Sequence, residues 1–134
     1  MSSDREGSVP LRNEADIVAS RQTVRGLAQR LKFSLVDQTK LITATSELSR
    51  NTVTYGGGGE MDWTIVERDG KSGIRLQFRD RGPGIPDLEL ALKDGWSSGR
   101  GMGLGLSGSK RLVHEFHIES APGAGTCVSI TRWK

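Results

Sequence analysis

The first candidate for chemistry is a pair of polar side chains four residues apart. Glu47 and Asn51 form an E-x-x-x-N pattern in a segment that is predicted to be helical. Residues four apart lie on the same face of a helix, about one turn from each other. A carboxylate and a carboxamide placed in this way could act as a general base and as an oxygen ligand for a hard metal ion. The same spacing also occurs on ordinary solvated helices, so the pair alone does not define a site.

The second candidate is a carboxylate at the predicted end of a strand. Asp80 begins a D-x-G-x-G pattern that Gly82 and Gly84 complete and Ile85 follows. A carboxylate in this place could accept a hydrogen bond from an exocyclic amine, and the glycines would let a flat ring lie against the backbone. The alternative interpretation is a tight turn rich in glycine and proline.

The third candidate is a segment with glycine at every second position, residues 99–105, which leads into a predicted helix. Alternating glycines allow successive backbone N–H groups to point inward and bind an anion, and the positive end of the following helix adds to this. No G-K-[ST] follows, so the segment is not a Walker A loop. Its G-x-G-x-G spacing also differs from the dinucleotide fingerprint. A flexible loop remains the alternative.

Two helices are predicted to precede the strands. Asn13 is the predicted N-cap of the first helix, with Asp16 at the capping-box position. Ser34 begins a second helix that ends at the glycines of residues 56–59. Glu47 and Asn51 therefore belong to the second helix.

The strands are predicted from alternating apolar and polar residues. This alternation runs along residues 61–66 and 74–79, on either side of a turn at residues 69–73, and predicts a hairpin. The helices and the antiparallel strands are partly segregated along the chain. This order predicts an α/β two-layer sandwich, in which helices cover one face of a mixed, mostly antiparallel sheet. Further predicted elements are a short strand at residues 10–12, a short helix at 88–93, a third main helix at 106–116, and strands at 118–121 and 126–132.

Composition limits the class of protein. A chain of 134 residues predicts one domain, here residues 10–134 after a frayed N-terminus at residues 1–9. The net charge is +3, but the basic residues are scattered and aromatic residues are 5%, which argues against nucleic-acid binding. No apolar run approaches the roughly 20 residues of a membrane helix, no signal peptide is recognised, and one cysteine excludes an internal disulfide framework. A cytoplasmic protein without a membrane or nucleic-acid partner is expected.

The order of these motifs resembles a known superfamily. E-x-x-x-N, D-x-G-x-G, G-x-G-x-G-L and the late Gly125-Thr126 are similar to the N, G1 and G2 boxes and terminal G-T of the GHKL ATPases, which include gyrase, Hsp90, histidine kinases and MutL. Residues 15–21, 46–51 and 108–112 resemble more specifically the small serine/threonine kinases of the anti-sigma-factor type, closest to the RsbT switch kinases. The resemblance covers residues 13–133 and implies a Bergerat-type ATP-binding fold with ATP and Mg²⁺ as cofactors.

The resemblance also implies residue roles. Glu47 would orient or deprotonate the attacking hydroxyl, Asn51 would ligate Mg²⁺, and Asp80 would accept the adenine amine. Gly84 would lie near the ring, and Thr126 would assist through a water molecule. Gly101, Gly103 and Gly105 would wrap the phosphates, with Arg100 as counter-charge at the γ-phosphate. The implied nucleotide-binding set also includes Gly82, Ile85, Met102, Leu104 and Leu106. Leu104 departs from the family pattern, in which a small residue is frequent at this position.

The resulting functional hypothesis is a kinase that phosphorylates a small STAS-type antagonist protein in a bacterial partner-switching circuit controlling a sigma factor or stress response. One alternative is a regulatory module that uses nucleotide as a switch and sequesters or activates a partner, either a sigma factor or a PP2C-type phosphatase. The other is a detached histidine-kinase ATP domain. It is disfavoured because no phosphoacceptor segment is present and because Thr54 stands where histidine kinases commonly have lysine. Oligomeric state is left open.

Overall fold

The computed structural model describes residues 5–84 and 104–134. Within these ranges, strands and helices form an α/β fold whose core lies between a sheet and the helices on one of its faces. The elements in chain order are β1 (Glu6–Leu11), α1 (Glu14–Arg30), α2 (Leu35–Thr54), β2 (Gly59–Arg68), β3 (Lys71–Asp80), α3 (Leu104–Arg111), β4 (Glu115–Ala121) and β5 (Gly125–Trp133).

The described strands form one sheet in the order β1-β2-β3-β5-β4, and all neighbouring pairs in it are antiparallel. The prediction of a mixed sheet was therefore wrong for the described strands, while the mainly antiparallel α/β sandwich is confirmed. The physical reason is the position of β5. It lies between β3 and β4, which run in the same direction, so these two strands never pair directly with each other.

Alternation of side chains places one face of the sheet against the helices. Ile74, Leu76 and Phe78 of β3 are at most 2% exposed and belong to the core, as predicted. The intervening side chains of β3 lie on the opposite face. The β2–β3 turn is tighter than the predicted five-residue turn. Arg68 pairs with Lys71, and Asp69 and Gly70 have φ of 52° and 80°, which are the positive values of a type I′ hairpin turn.

The two long helices begin at the predicted caps. The Asn13 side chain accepts a hydrogen bond from the Asp16 N–H at 3.0 Å, and Ser34 caps α2 in the same way. The Asp16 carboxylate accepts from the backbone N–H of Arg12 at 2.8 Å and not from that of Asn13, so the reciprocal bond of a capping box is shifted by one residue. None of the helices within the described ranges is long and apolar enough to cross a membrane.

Two element boundaries differ from the prediction. Residues 6–9 belong to β1 and are not frayed, because they pair with β2 from Thr64 to Met61. The third main helix ends at Arg111 and not near residue 116, because Glu115 already pairs with Thr131 at the start of β4. The predicted helix at residues 88–93 lies outside the described residues.

Candidate functional site

A cleft opens between α2, α3 and the ends of β3 and β5. Its walls are mainly apolar and its polar groups few, which is typical of a small-molecule site. The lining residues are Leu48, Asn51, Thr52, Tyr55, Gly56, Phe78, Asp80, Pro83, Gly84, Leu106, Thr126 and Val128.

Asp80 is the acidic group among the residues that line this cleft. It is the last residue of β3 and pairs with Thr126 at the start of β5. Its Oδ1 accepts hydrogen bonds from the backbone N–H groups of Gly82 at 2.9 Å and Thr126 at 3.2 Å. These bonds fix the orientation of the carboxylate, and Oδ2 has no hydrogen bond from the described residues. Burial raises the pKa of Asp80, and the two backbone bonds oppose that rise.

Gly56 allows the backbone to pass directly beside this carboxylate. A Cβ at Gly56 would lie 2.3 Å from the carboxyl carbon of Asp80, so no larger residue fits there without displacing the carboxylate. The sequence had indicated Gly56 only as part of a glycine run that stops α2. A run of four glycines ends a helix whatever surrounds it in the fold. The contact between Gly56 and Asp80, by contrast, arises only when β3 is paired in the sheet.

The helical pair Glu47 and Asn51 is placed with one member inside the cleft and one outside. Asn51 lines the cleft, and its side-chain Nδ2 is buried without a hydrogen-bond partner among the described residues. Its carboxamide is therefore available to a ligand, and a 180° rotation would present the oxygen in place of the nitrogen. Glu47 is exposed and lies one helical turn earlier on α2, outside the lining residues.

The hydroxyl of Thr126 is held by a side chain that sequence reasoning missed. Ser120 Oγ lies 2.8 Å from Thr126 Oγ1 and also donates to the carbonyl oxygen of Gly125 at 3.1 Å. Ser120 pairs with Thr126 across β4 and β5. No local pattern marks Ser120, because its role depends only on strand register.

The remaining predicted residues divide into two groups. Leu106 is 2% exposed in α3 and lines the cleft, as does Gly84. The backbones of Leu104 and Gly105 form the first two positions of α3. Outside the described residues lie Ile85, Arg100, Gly101, Met102 and Gly103. Among the residues that are described, no group of three or more His, Cys, Asp or Glu side chains could hold a metal ion.

Residues 36–134 match the family of histidine kinase-, DNA gyrase B- and HSP90-like ATPases. The chain belongs to this ATPase family. It is 42% identical over 128 residues to the serine/threonine-protein kinase RsbT of Bacillus subtilis (strain 168), covering 96% of both chains. It is also 27% identical over 120 residues to an anti-sigma F factor of Bacillus licheniformis, covering 84% of this chain and 81% of that one.

A solved structure has the same fold. The RsbU and RsbW domains of Rv1364c from Mycobacterium tuberculosis match 96% of this chain with a TM-score of 0.64 and 17% identity, and the match covers 33% of that longer chain. The resemblance to the GHKL superfamily and to RsbT-type kinases is thus confirmed, together with the expected enzyme class, an ATP-dependent protein serine/threonine kinase.

Proposed function

We propose that this kinase transfers the γ-phosphate of ATP to a serine or threonine of a small STAS-type antagonist protein, in a bacterial partner-switching circuit that controls a sigma factor or stress response. The observation that carries the proposal is that Asp80 and Asn51, far apart in sequence, line one apolar cleft in a chain 42% identical to RsbT. The proposed site of action is the cytoplasm.

Adenine is proposed to bind beside Asp80. Oδ1 is already engaged by two backbone N–H groups, so Oδ2 is the oxygen that accepts the exocyclic amine. Phe78 and Val128 supply an apolar surface for the ring, and Gly84 lies at its edge. The Thr126 hydroxyl, held by Ser120, is placed to bind a water molecule that contacts the ring.

The phosphates are proposed to extend from the cleft past Asn51. The unpartnered carboxamide of Asn51 fits a role as an oxygen ligand for Mg²⁺, which would neutralise charge on the phosphates. Gly101, Gly103, Gly105 and the start of α3 would bind the phosphate oxygens through backbone N–H groups, with Arg100 beside the γ-phosphate.

Glu47 is proposed to orient the acceptor hydroxyl and take its proton. Its exposure, one turn from Asn51, leaves room for a protein substrate to approach from solvent. The acceptor oxygen forms a bond to the γ-phosphorus as the bond from phosphorus to the bridging oxygen breaks, and ADP leaves. Because phosphoryl transfer passes through a loose transition state, orientation of the hydroxyl contributes more than full deprotonation.

A second candidate function is supported by the anti-sigma F factor relative. The chain would then act mainly by nucleotide-dependent binding of a sigma factor or by activating a PP2C-type phosphatase. The exposed carboxylate of Glu47 beside the cleft favours catalysis, since sequestration needs no base.

The test is incubation of the protein with ATP labelled at the γ-phosphate and with cell extract, followed by identification of the labelled protein and residue. Phosphoserine or phosphothreonine on a small STAS domain is expected, and the Asn51→Ala variant should give no label. Acid-labile phosphohistidine would support a histidine kinase instead. ATP-dependent capture of a sigma factor without labelling would support the second candidate.

A further inference from the structure

A buried guanidinium lies at the end of the sheet opposite the cleft. Arg132 is 8% exposed and lies in β5, in register with the buried Ile74, so it faces the helices. Its Nη1 donates to the carbonyl oxygen of Leu112 at 2.8 Å, and its Nη2 donates to Asp37 Oδ1 at 2.5 Å. Its Nε is buried without a partner among the described residues. The charged guanidinium is therefore buried with one of its N–H groups unpaired among the described residues. An apolar side chain would fill this space without the cost of burying a charge.

The two acceptors connect Arg132 to both helices that line the cleft. Asp37 is in the first turn of α2, the helix that supplies Asn51. Leu112 directly follows α3, the helix that supplies Leu106. β5 itself carries Thr126 at its other end. One guanidinium therefore links three elements whose far ends form the cleft.

The link acts at a distance from the cleft. Asp37 and Asn51 are fourteen residues apart in α2, or about 21 Å at 1.5 Å per residue. Arg132 is absent from the lining residues. An effect of Arg132 on nucleotide binding must therefore pass through the positions of α2, α3 and β5.

α3 is short, so its position depends on bonds such as the one between Arg132 and Leu112. A helix of eight residues is not stable alone and takes its position from its attachments. At its C-terminal end the described attachments to β5 include the Arg132 bond to Leu112 and two bonds of His114: its N–H donates to the Thr131 carbonyl at 3.0 Å, and its Nδ1 accepts from the Trp133 N–H at 2.9 Å. A cation at this end of the helix also interacts favourably with its dipole.

We propose that Arg132 is a positioning residue for the nucleotide cleft, a role that rests on the proposed function. By holding the end of α3 and the first turn of α2 against β5, it sets the spacing between Leu106 and Asn51. Loss of either bond widens or shifts the cleft without removing any group that contacts ATP.

The test compares two identical substitutions at the same end of the sheet. Arg132→Lys retains the charge, but a single ammonium replaces the planar fork that reaches both acceptors. Arg68→Lys is the matched control. Arg68 bonds Glu115 at 3.0 Å and stacks on Trp133 at 4.8 Å, and these residues lie in β4 and β5, not in α2 or α3. Asp37→Asn removes the charge of one acceptor and serves as a milder second variant.

Affinity for Mg²⁺-ATP is measured by calorimetry at a temperature where circular dichroism shows each variant to be folded, with amide exchange of residues 104–111 in parallel. Arg132→Lys should raise the Kd by about three- to thirtyfold and speed exchange in α3, with a smaller rise for Asp37→Asn and none for Arg68→Lys. If Arg132→Lys fails to fold, the ATP affinity of Asp37→Asn tests the positioning role in its place.

If folded Arg132→Lys binds ATP with unchanged affinity, the positioning role is overturned, even if the melting temperature falls. If Arg132→Lys does not fold, unchanged affinity in Asp37→Asn overturns it in the same way. An equal loss of affinity in Arg68→Lys would overturn it as well, because the effect would then not be specific to α2 and α3. Absence of ATP binding by the unaltered protein would overturn the proposed function, and the positioning role with it.

Discussion

Replacement of Asp80 by asparagine should separate nucleotide binding from folding. In the variant, the amide oxygen can accept the bonds from Gly82 and Thr126 that Oδ1 now accepts. The amide nitrogen would then face the cleft, where it would meet the adenine amine of the proposed binding mode as donor against donor. Loss of a charge-assisted hydrogen bond of about 1.5–3 kcal/mol should weaken ATP binding by roughly one to two orders of magnitude.

Stability without nucleotide should not fall in the same variant at neutral pH. Burial raises the pKa of Asp80 above the ordinary 3.8, so the folded state binds the proton more tightly than the unfolded state does. The favourable contribution of the carboxyl to the free energy of unfolding is then present at low pH and lost as pH rises through its folded pKa. Asp80→Asn removes this dependence, so its stability relative to the unaltered protein should increase as pH rises from about 3.8 to the raised pKa of folded Asp80, and should stay constant above it.

Calorimetric titration with ATP and thermal melts between acid and neutral pH measure both effects. The matched control is Asp62→Asn, since Asp62 is paired with Arg79 away from the lining residues, and its ATP affinity should be unchanged. Full ATP affinity in Asp80→Asn would refute the adenine assignment. A large loss of stability at neutral pH would refute the reasoning about its burial.

Three further outcomes are expected. Asn51→Ala should abolish the Mg²⁺-dependent gain in ATP affinity with little change in melting temperature, because the buried Nδ2 has no bond to lose among the described residues; an unchanged response to Mg²⁺ in titrations would place the ligand elsewhere. Gly125→Ala should unfold at clearly lower denaturant concentration than Gly70→Ala, since both have φ near +80° but only a Cβ at Gly125 meets a backbone atom, the Asp80 carbonyl oxygen at 2.3 Å; equal midpoints would contradict this. Asn13→Ala should lower the free energy of unfolding by about 1 kcal/mol through loss of the α1 cap, measured by urea denaturation, and a shift near zero would contradict the capping bond.

The parts of the fold set by local physics could be predicted from the sequence. Asn13 and Ser34 cap helices through their own neighbours, and the alternation in β3 determines which side chains are buried. The family resemblance implied that Asn51 and Asp80 serve one nucleotide site; both line the same cleft, and their roles remain predictions.

The parts of the fold and of the site that depend on strand pairing could not be predicted from the sequence. Glu115 joins β4 because Thr131 lies opposite, although its local sequence favours continuing the preceding helix. The positions of Ser120 beside Thr126 and of Gly56 beside Asp80 likewise depend on register between segments far apart in the chain. Arg132 gives no local signal, since its two acceptors are distant in sequence.

The most direct test of the kinase proposal is a pair of assays on Glu47→Ala: single-turnover transfer of the γ-phosphate to the protein substrate, and ATP affinity by titration. Glu47 is exposed and outside the cleft lining, so its removal should leave ATP affinity nearly unchanged. Transfer should slow by roughly 10²–10⁴-fold, the usual contribution of a general base. Transfer at the unaltered rate would contradict the role of Glu47, and loss of ATP binding together with transfer would show that Glu47 supports the structure and not the chemical step.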